Sequence, residues 1–460
     1  MSNTSFSALP LQPDMLANLD TLGYHEMTPI QAQSLPPILE NRDVIAKAKT
    51  GSGKTAAFGI GLLHKLNVKQ FRIQTIVLCP TRELADQVAK ELRRLARGTH
   101  NVKILLLSGG MPFGPERLSL EHGAHIIVGT PGRVQDHLGK GTLRLDHVTT
   151  LVLDEADRML DMGFNEAILK IISNIPHKRQ TLLFSATFPD NITRLSRDIQ
   201  QDPLEVSVES THSAAVIEQL AYETSKQIDH EQLMHLLTHY KSEATIIFCN
   251  TKIACQELAD ELQYDGFSAL ALHGDLDQRQ RTEVLVQFTN RSCTILIATD
   301  VASRGLDIDN VAAVINYDLP HDPEVYVHRI GRTGRAGKKG VALTLLRPSD
   351  RQRLKTIEAY TGHTLPRSPI DSLKSDETYD YTAPMKTLLI YGGKKDKLRP
   401  GDIVGALTGD AQIDSSAIGN IDRFDRFTYV AVETDLAETA ANRLHNGKIK
   451  GRKFKTHILN

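Results

Sequence analysis

Cysteine is scarce in this 460-residue chain: four residues, Cys79, Cys249, Cys255 and Cys293, none of them in a CxxC pair. A disulfide-built scaffold is thereby excluded. Cys79 and Cys249 each close an apolar run and read as buried free thiols, as suits a reducing cytosol. With 31 glycines and 19 prolines, the chain is too poor in both for a collagen-like repeat. Long apolar runs are missing, since no stretch approaches the roughly 18 residues of a transmembrane helix. The first residues, Met1-Ser2-Asn3-Thr4, lack the charged region and apolar stretch of a secretory leader, so a cytoplasmic protein without a membrane partner is expected. Excess charge is also absent. Lys plus Arg number 54 and Asp plus Glu 55, for a net charge of −1; with 40% apolar residues, the chain is globular rather than disordered. A neutral balance argues against nucleic acid only if the charge is evenly spread.

The length suggests roughly three domains at about 150 residues each. Short apolar runs recur between helical patterns: Val44-Ile45-Ala46, Ile76-Val77-Leu78, Ile126-Ile127-Val128, Leu151-Val152-Leu153 and Leu182-Leu183-Phe184. A second series comprises Ile246-Ile247-Phe248, Ile295-Leu296-Ile297, Ala313-Val314-Ile315 and Ala342 to Leu345. Such runs read as buried parallel strands in βαβ units, so two α/β lobes are expected, over 1–206 and 216–362. The small, polar stretch Ser207 to Ala215 joins them. A second linker, 363–384, holds Pro366, Pro369 and Pro384. The last segment, 385–460, has a βαββαβ pattern, which predicts an RRM-like, ferredoxin-like domain.

Three motifs carry chemistry. Ala48 to Thr55 (AKTGSGKT) follows the first strand and opens a helix, as a phosphate-binding loop does. In it, the backbone of Thr50, Gly51, Ser52 and Gly53 would wrap phosphates, Lys54 would supply charge to the β and γ phosphates, and Thr55 would give a hydroxyl to Mg²⁺. Asp154-Glu155-Ala156-Asp157 ends the strand Leu151-Val152-Leu153, facing the ligand crevice of such a sheet. Asp154 is placed as the Mg²⁺-side acid and Glu155 as the residue orienting the attacking water. In the second lobe, His328 to Arg335 (HRIGRTGR) has three arginines, as an NTPase needs for the charge developing at the γ phosphate. Lys54, Asp154, Glu155, Arg332 and Arg335 form the expected catalytic set, with ATP and Mg²⁺ as cofactors.

These residues resemble the DEAD-box RNA helicase family, and the resemblance covers nearly all of Phe6 to Arg347. It implies two RecA-like parallel-sheet lobes and an RNA-dependent ATPase and helicase. Gly23-Tyr24 with Thr28-Pro29-Ile30-Gln31 is similar to the family's adenine-reading Q motif, and Phe6 matches its upstream aromatic. Pro80 to Leu84 (PTREL), Gly109-Gly110 and Thr130 to Arg133 (TPGR) match first-lobe RNA-backbone motifs, which implies RNA contacts from Thr81, Arg82, Gly110, Thr130 and Arg133. Ser185-Ala186-Thr187 resembles the motif linking hydrolysis to strand separation. Ile247 to Thr251, Gln278 with Arg281, and Ala298 to Asp307 resemble the second-lobe set. By that pattern Thr251, Thr299 and Arg304 serve RNA or inter-lobe contacts, while Gly305 and Asp307 belong to the nucleotide side, Asp307 at the ribose. Arg332 and Arg335 match the arginine fingers. Asp157, where the related DEAH group has His, separates the two groups.

From Met385 onward the chain carries 13 Lys or Arg against 9 Asp or Glu, a local +4, while the preceding residues sum to −5. The basic residues cluster at Lys394, Lys395, Lys397 and Arg399, and again at Arg443, Lys448, Lys450, Arg452, Lys453 and Lys455. Such clusters are footprints for phosphate. Phe427 to Val432 aligns with the RNP1 strand of an RRM, and alternation puts Phe427 and Tyr429 on one face where bases could stack. The RNP2-like strand has Leu where an aromatic is usual, which favours a structured RNA held by shape and a basic rim. Lys394, Lys395, Lys448, Lys450 and Lys453 are the expected RNA contacts.

The tail resembles the C-terminal domain of a bacterial branch of the family, through Gly392 to Lys395, Leu398 to Gly409 and Gly447 to Gly451. That resemblance implies binding of a 23S rRNA hairpin near the peptidyl-transferase centre, with 50S assembly precursors as partners. A monomer is the default, since both halves of the ATP site lie in one chain. An ATP-gated RNA clamp would carry nearly the same motifs. A DNA helicase is a third reading, with RNA rather than DNA preferred.

Overall fold

The structure is a computed structural model that describes residues 4–48, 51–110, 112–208, 217–225, 230–303, 308, 311–334, 339–374, 380–409 and 413–459. Thr50, Arg304, Gly305, Asp307 and Arg335 lie outside the described residues. The chain divides into two compact units, the first lobe and the second lobe with the tail.

In the first lobe, β1 (Val44–Lys47), β2 (Thr75–Leu78), β3 (Ile104–Leu107), β4 (Ile126–Gly129), β5 (Thr150–Asp154), β6 (Gln180–Ser185) and β7 (Leu204–Ser207) form one sheet, ordered β3-β4-β2-β5-β6-β1-β7. Every pairing is parallel. Each residue of β5 and β6 is buried. The strand period of two sends Val152, Leu182 and Phe184 into one apolar layer and Leu151, Leu153 and Leu183 into the other. Helices cover both faces, which is why interior strands read as continuous apolar runs.

The second lobe repeats this plan with β8 (Ile217–Glu223), β9 (Thr245–Cys249), β10 (Ala269–Leu272), β11 (Ile295–Thr299), β12 (Ala313–Asn316), β13 (Gly340–Leu346) and β14 (Arg367–Pro369), ordered β10-β11-β9-β12-β13-β8-β14 and again parallel. All four cysteines are buried and free. Burial pushes the Cys255 thiol up to about 11 and that of Cys293 up to about 12, so neither is a reactive thiolate near neutral pH. Among the described residues, no helix is long and apolar enough to cross a membrane.

The tail domain has β15 (Met385–Ile390), β16 (Ile418–Arg423), β17 (Thr428–Glu433) and β18 (Thr456–Ile458) in an antiparallel sheet ordered β16-β17-β15-β18. The Pro400–Thr408 and Ala437–Asn446 helices pack Ile403, Leu407 and Leu444 on Leu388, Ile390, Val430 and Val432. This is the expected βαββαβ domain.

The stretch read as a linker is strapped to the second lobe. Within it β14 pairs with β8, Ile370 enters the lobe's core, and the Tyr381 ring lies 3.9 Å from that of Phe267, centroid to centroid. Ala383 is buried, and its carbonyl accepts from Thr434 Oγ1 at 2.5 Å.

Candidate nucleotide and RNA sites

In a parallel sheet the loops that follow strand C-termini line one edge, and ligands bind there. The first lobe's strand order sorts its motifs along that edge. β3, β4 and β2 are neighbours, followed in the chain by Gly109-Gly110, Thr130 to Arg133, and Thr81-Arg82. β5, β6 and β1 come next, and they deliver Asp154-Glu155, Ser185-Ala186-Thr187 and the phosphate-binding loop. RNA-type and nucleotide-type motifs therefore take adjacent halves of one edge.

The phosphate-binding loop is shaped by Gly51 and Gly53, with φ of +78° and +94°. Gly53 caps the Lys54–Lys65 helix, whose N-terminal amides and dipole favour an anion. A Cβ on Gly53 would come within 2.5 Å of Gln31 Nε2, so only glycine lets the loop close on that side chain. Gln31 is buried; its Oε1 accepts from Thr28 N at 2.9 Å and its Nε2 donates to Gly53 O at 3.1 Å. Lys54 is buried too, its Nζ donating to Ala48 O at 2.7 Å. Ser52 and Thr55 flank it, at the loop and in the first helical turn. Phe6 packs edge-on to Tyr24 in the lobe's apolar core.

Asp154 ends β5 and is 2% exposed. Burial pushes its carboxyl up to about 7; nearby Lys54 opposes the shift, while Glu155 and Asp157 add to it. Its Oδ1 has no hydrogen-bond partner. An orphaned, buried carboxylate oxygen at the strand end that faces the ligand edge fits a hard cation that takes its remaining ligands from phosphates. Among the described residues no group of three or more His, Cys, Asp or Glu could hold a metal without such help.

The raised pKa has a consequence for stability. An unfolded Asp titrates near 4, so the fold favours the protonated form; that contribution is full below about 4 and is lost as pH rises to about 7. Asp154→Asn removes the penalty. In nucleotide-free protein at pH 8 its melting temperature is expected about 5 °C above wild type, with the gap closing toward pH 4.5. A gap independent of pH would contradict the assignment.

Glu155 is a non-glycine residue at φ +52°, 3% exposed, and its Oε2 accepts from Arg158 Nη1 at 2.6 Å. Such a conformation costs on the order of 1 kcal/mol and marks a residue held for use. Asp157 ties the acidic segment to β6. Its Oδ2 accepts from the backbone N–H groups of Ala186 and Thr187, at 3.1 and 3.0 Å, and from Thr187 Oγ1 at 2.9 Å.

On the other half of the edge, Thr81 caps the Arg82–Leu95 helix, its Oγ1 accepting from Leu84 N at 3.2 Å. Gly110, at φ +75°, lies against Arg82, where a Cβ would overlap the guanidinium. Thr130 caps the Pro131–Gly139 helix, and Arg133 projects from its first turn to Glu116, Nε to Oε2 at 2.9 Å.

The second lobe sorts its residues similarly. β10, β11 and β9 are neighbours, followed by the Gln278–Thr289 helix, by Thr299-Asp300, and by Thr251. Thr251 Oγ1 accepts from Ala254 N at 3.1 Å, Thr299 is buried, and Arg281 Nη2 donates to Ala302 O at 3.1 Å. Arg332 is 5% exposed, just past the Pro323–Ile330 helix. Sequence reasoning left Arg329 without a role. It is fully buried, donating to both Asp300 oxygens (2.7 and 2.8 Å), to Asn250 Oδ1 (2.9 Å) and to Asp318 O (2.6 Å), with the Phe248 ring 5.0 Å away. It joins three strand ends, and its place inside an arginine-rich motif was the only signal.

In the tail, two basic segments far apart in sequence meet at one end of the sheet, because β15 and β18 pair at Ile390 and Thr456. Arg452 Nη1 donates to Asp396 O at 3.1 Å, and Lys394 N and Lys395 N donate to Phe424 O and Asp425 O. Lys394, Lys395, Lys448, Lys450 and Lys453 are all exposed.

The sheet face corrects one expectation. Tyr429, read as a base-stacking residue, is 2% exposed: with its cross-strand partner Leu389 it packs on Val286 of the Gln278–Thr289 helix. Arg279 lies 5.0 Å from the Phe427 ring, Tyr429 OH donates to Glu283 Oε1 at 3.4 Å, and Asn290 Nδ2 donates to Thr387 Oγ1 at 3.2 Å. An apolar pair flanked by polar contacts is how two protein surfaces seal. The helical spacing of Arg279, Glu283 and Val286 was the available signal.

The chain matches the DEAD/DEAH box helicase family over residues 28–195, the helicase conserved C-terminal domain over 229–337, and the DbpA RNA binding domain over 387–458. It is 52% identical to the ATP-dependent RNA helicase DbpA of Escherichia coli (strain K12), covering 99% of this chain and all of that one. It is 46% identical to the DEAD-box ATP-dependent RNA helicase CshA of Geobacillus kaustophilus, over 79% of this chain and 78% of that one. Among solved structures, S. cerevisiae Dbp5 bound to RNA and ADP BeF3 matches with a TM-score of 0.73 at 32% identity, over 80% of this chain and 96% of that one. The chain therefore belongs to the DEAD-box family of ATP-dependent RNA helicases and carries a DbpA-type RNA-binding domain.

Proposed function

We propose that the tail binds a structured element of 23S rRNA through its basic end, and that the core opens short duplexes nearby during assembly of the 50S subunit. One observation carries this reading: the two lysine-rich segments converge on one exposed surface while the sheet face at Leu389 and Tyr429 is covered. A rigid basic surface recognises a folded RNA by its phosphate shape; reading single-stranded bases needs the open sheet. The overall similarity to DbpA, tail included, supports the same assignment.

In this reading Gln31 and Phe6 hold adenine, Gly305 and Asp307 the ribose side, and the loop Thr50 to Thr55 the phosphates. Thr55 and Asp154 would hold Mg²⁺, partly through water, which supplies charge neutralisation at the β and γ phosphates. Glu155 orients the attacking water, and Arg332 and Arg335 stabilise the charge that develops on the γ phosphate. The RNA contacts of the core come from Thr81, Arg82, Gly110, Thr130, Arg133, Thr251, Thr299 and Arg304. Arg332 and Arg335 belong to the second lobe and Lys54 to the first, so hydrolysis requires both lobes; one chain supplies both, and in this reading it acts as a monomer in the cytoplasm.

The test is ATPase stimulation by a 23S rRNA fragment containing the hairpin, against an unrelated RNA of equal length. The fragment is expected to act at a concentration at least about 100 times lower, the usual margin of specific over electrostatic binding. Equal stimulation would overturn the rRNA assignment. Release of a short strand with ATP, but not with a non-hydrolysable analogue, would separate a helicase from a clamp.

A further inference from the structure

Glu116 is a buried carboxylate that no motif includes. It lies in the first turn of the Phe113–Glu121 helix, directly after the Gly109-Gly110 turn. Oε1 accepts from Ser108 N at 3.2 Å, and Oε2 forms an ion pair with Arg133 Nε at 2.9 Å and meets His137 Nε2 at 3.0 Å. His137 is fully buried; its Nδ1 is 2.8 Å from Thr142 Oγ1, and its ring stacks on Phe113 at 4.1 Å between centroids. Arg133 Nε also donates to Ser108 O at 3.3 Å.

We infer that Glu116 is a positioning residue for RNA binding, holding Arg133 and the Gly109-Gly110 turn in one fixed arrangement at the ends of β3 and β4. The inference rests on the reading of Arg133 as an RNA-phosphate contact. The geometry explains how the effect arises. Two contacts of Arg133 run through Nε, to Glu116 Oε2 and Ser108 O, and its guanidinium lies 5.6 Å from the Phe113 ring centre; together they orient the group. The same carboxylate grips the backbone immediately before Gly109, and Gly110 lies against Arg82. One anion thus sets the placement of Arg133 relative to the backbone that leads into the Gly109-Gly110 turn. An arginine left to choose among rotamers would lose much of its binding contribution to the ordering it must then undergo. His137, wedged between Glu116 and Thr142 and backed by Phe113, keeps the carboxylate from swinging away.

The test uses the full chain and reads RNA-stimulated ATP turnover against RNA concentration at several salt concentrations. For Glu116→Ala the KM for RNA is expected to rise about tenfold, with turnover at saturating RNA within about twofold of wild type. The log–log salt dependence of KM should flatten by about 0.7, the signature of one lost single-strand phosphate contact. Arg133→Ala should show the same two changes, and the double variant should be no worse than Arg133→Ala alone. Glu116→Gln keeps an acceptor for Ser108 N while removing the charge beside Arg133; it guards against an unfolded alanine variant, and its KM should rise about threefold. Unchanged KM and salt slope in Glu116→Gln and Glu116→Ala, with Arg133→Ala impaired, would overturn the positioning role alone. Unchanged values in Arg133→Ala would overturn the RNA reading of Arg133 and the inference with it.

Discussion

Glu155→Gln is expected to lower ATP turnover by roughly 10²- to 10⁴-fold while leaving ATP and RNA affinities within a few-fold of wild type. Glutamine keeps the side chain's length and one acceptor oxygen, so the packing of this 3%-exposed position survives. What it loses is the negative charge that aligns a water molecule for in-line attack. Its backbone sits at φ +52°, which fixes the side chain's starting direction independently of any ligand. Arg158 loses a charged partner at 2.6 Å, so a melting curve should accompany the kinetics. Turnover at the wild-type rate would remove Glu155 from the mechanism, and a parallel loss of ATP binding would recast it as a binding residue.

Replacing Lys448, Lys450 and Lys453 together by glutamate should weaken binding of the 23S rRNA fragment by about 100-fold or more, since three charge-assisted phosphate contacts become repulsive. The salt dependence of that binding should flatten by about 2 to 3 log units per log unit of salt. All three residues are exposed, and the ion pair of Lys450 with Asp402 at 3.7 Å is a surface contact of small energetic weight. The fold is therefore expected to persist. Stimulation by unrelated RNA should persist as well, because its contacts lie in the two lobes. Equal loss with both RNAs would mean that the basic end is a general electrostatic anchor. No loss with either would place the rRNA contact elsewhere on the molecule.

How legible the sequence was follows from burial. The nine apolar runs are all strands, and each but that of β13, which Thr344 interrupts, is three consecutive apolar residues. The strands that escaped, β3, β7, β8, β10 and β14, lie at or next to the rims of the two sheets. β7 buries one residue of its four and β14 none, so these two half-solvated strands carry mixed sequences that look like loops, whereas β3 (ILLL) and β10 (ALAL) are apolar runs that went unread. The tail's six elements were recovered in order because each alternates or repeats cleanly against a single layer of helices. At the site, residues inside ordered motifs were visible, and their partners were not. Glu116, Arg329 and the Arg279–Glu283 pair act through contacts 8 to 148 residues distant in the chain, and charge alone does not show which partner a fold will supply. Tyr429 was misassigned for a related reason: an aromatic on an open strand face and one sealed against a helix look the same in sequence.

The strapped linker and the sealed sheet face together change what kind of attachment the tail is. A flexible tether acts by raising local concentration, and its benefit fades gradually as the chain lengthens. Here β14, Tyr381 and Ala383 pin the connecting segment, and Val286, Leu389 and Tyr429 fix the domain it leads to. On the proposed reading, RNA bound at the basic end would be held at a set distance and angle from the Gln278–Thr289 helix, whose first turn carries Gln278 and whose next residues include Arg281. The attachment would then work as a gauge: the duplex presented to the second lobe would be chosen by its offset from the anchoring element, in nucleotides along a folded RNA, and the helicase would need no base-reading surface of its own to be selective.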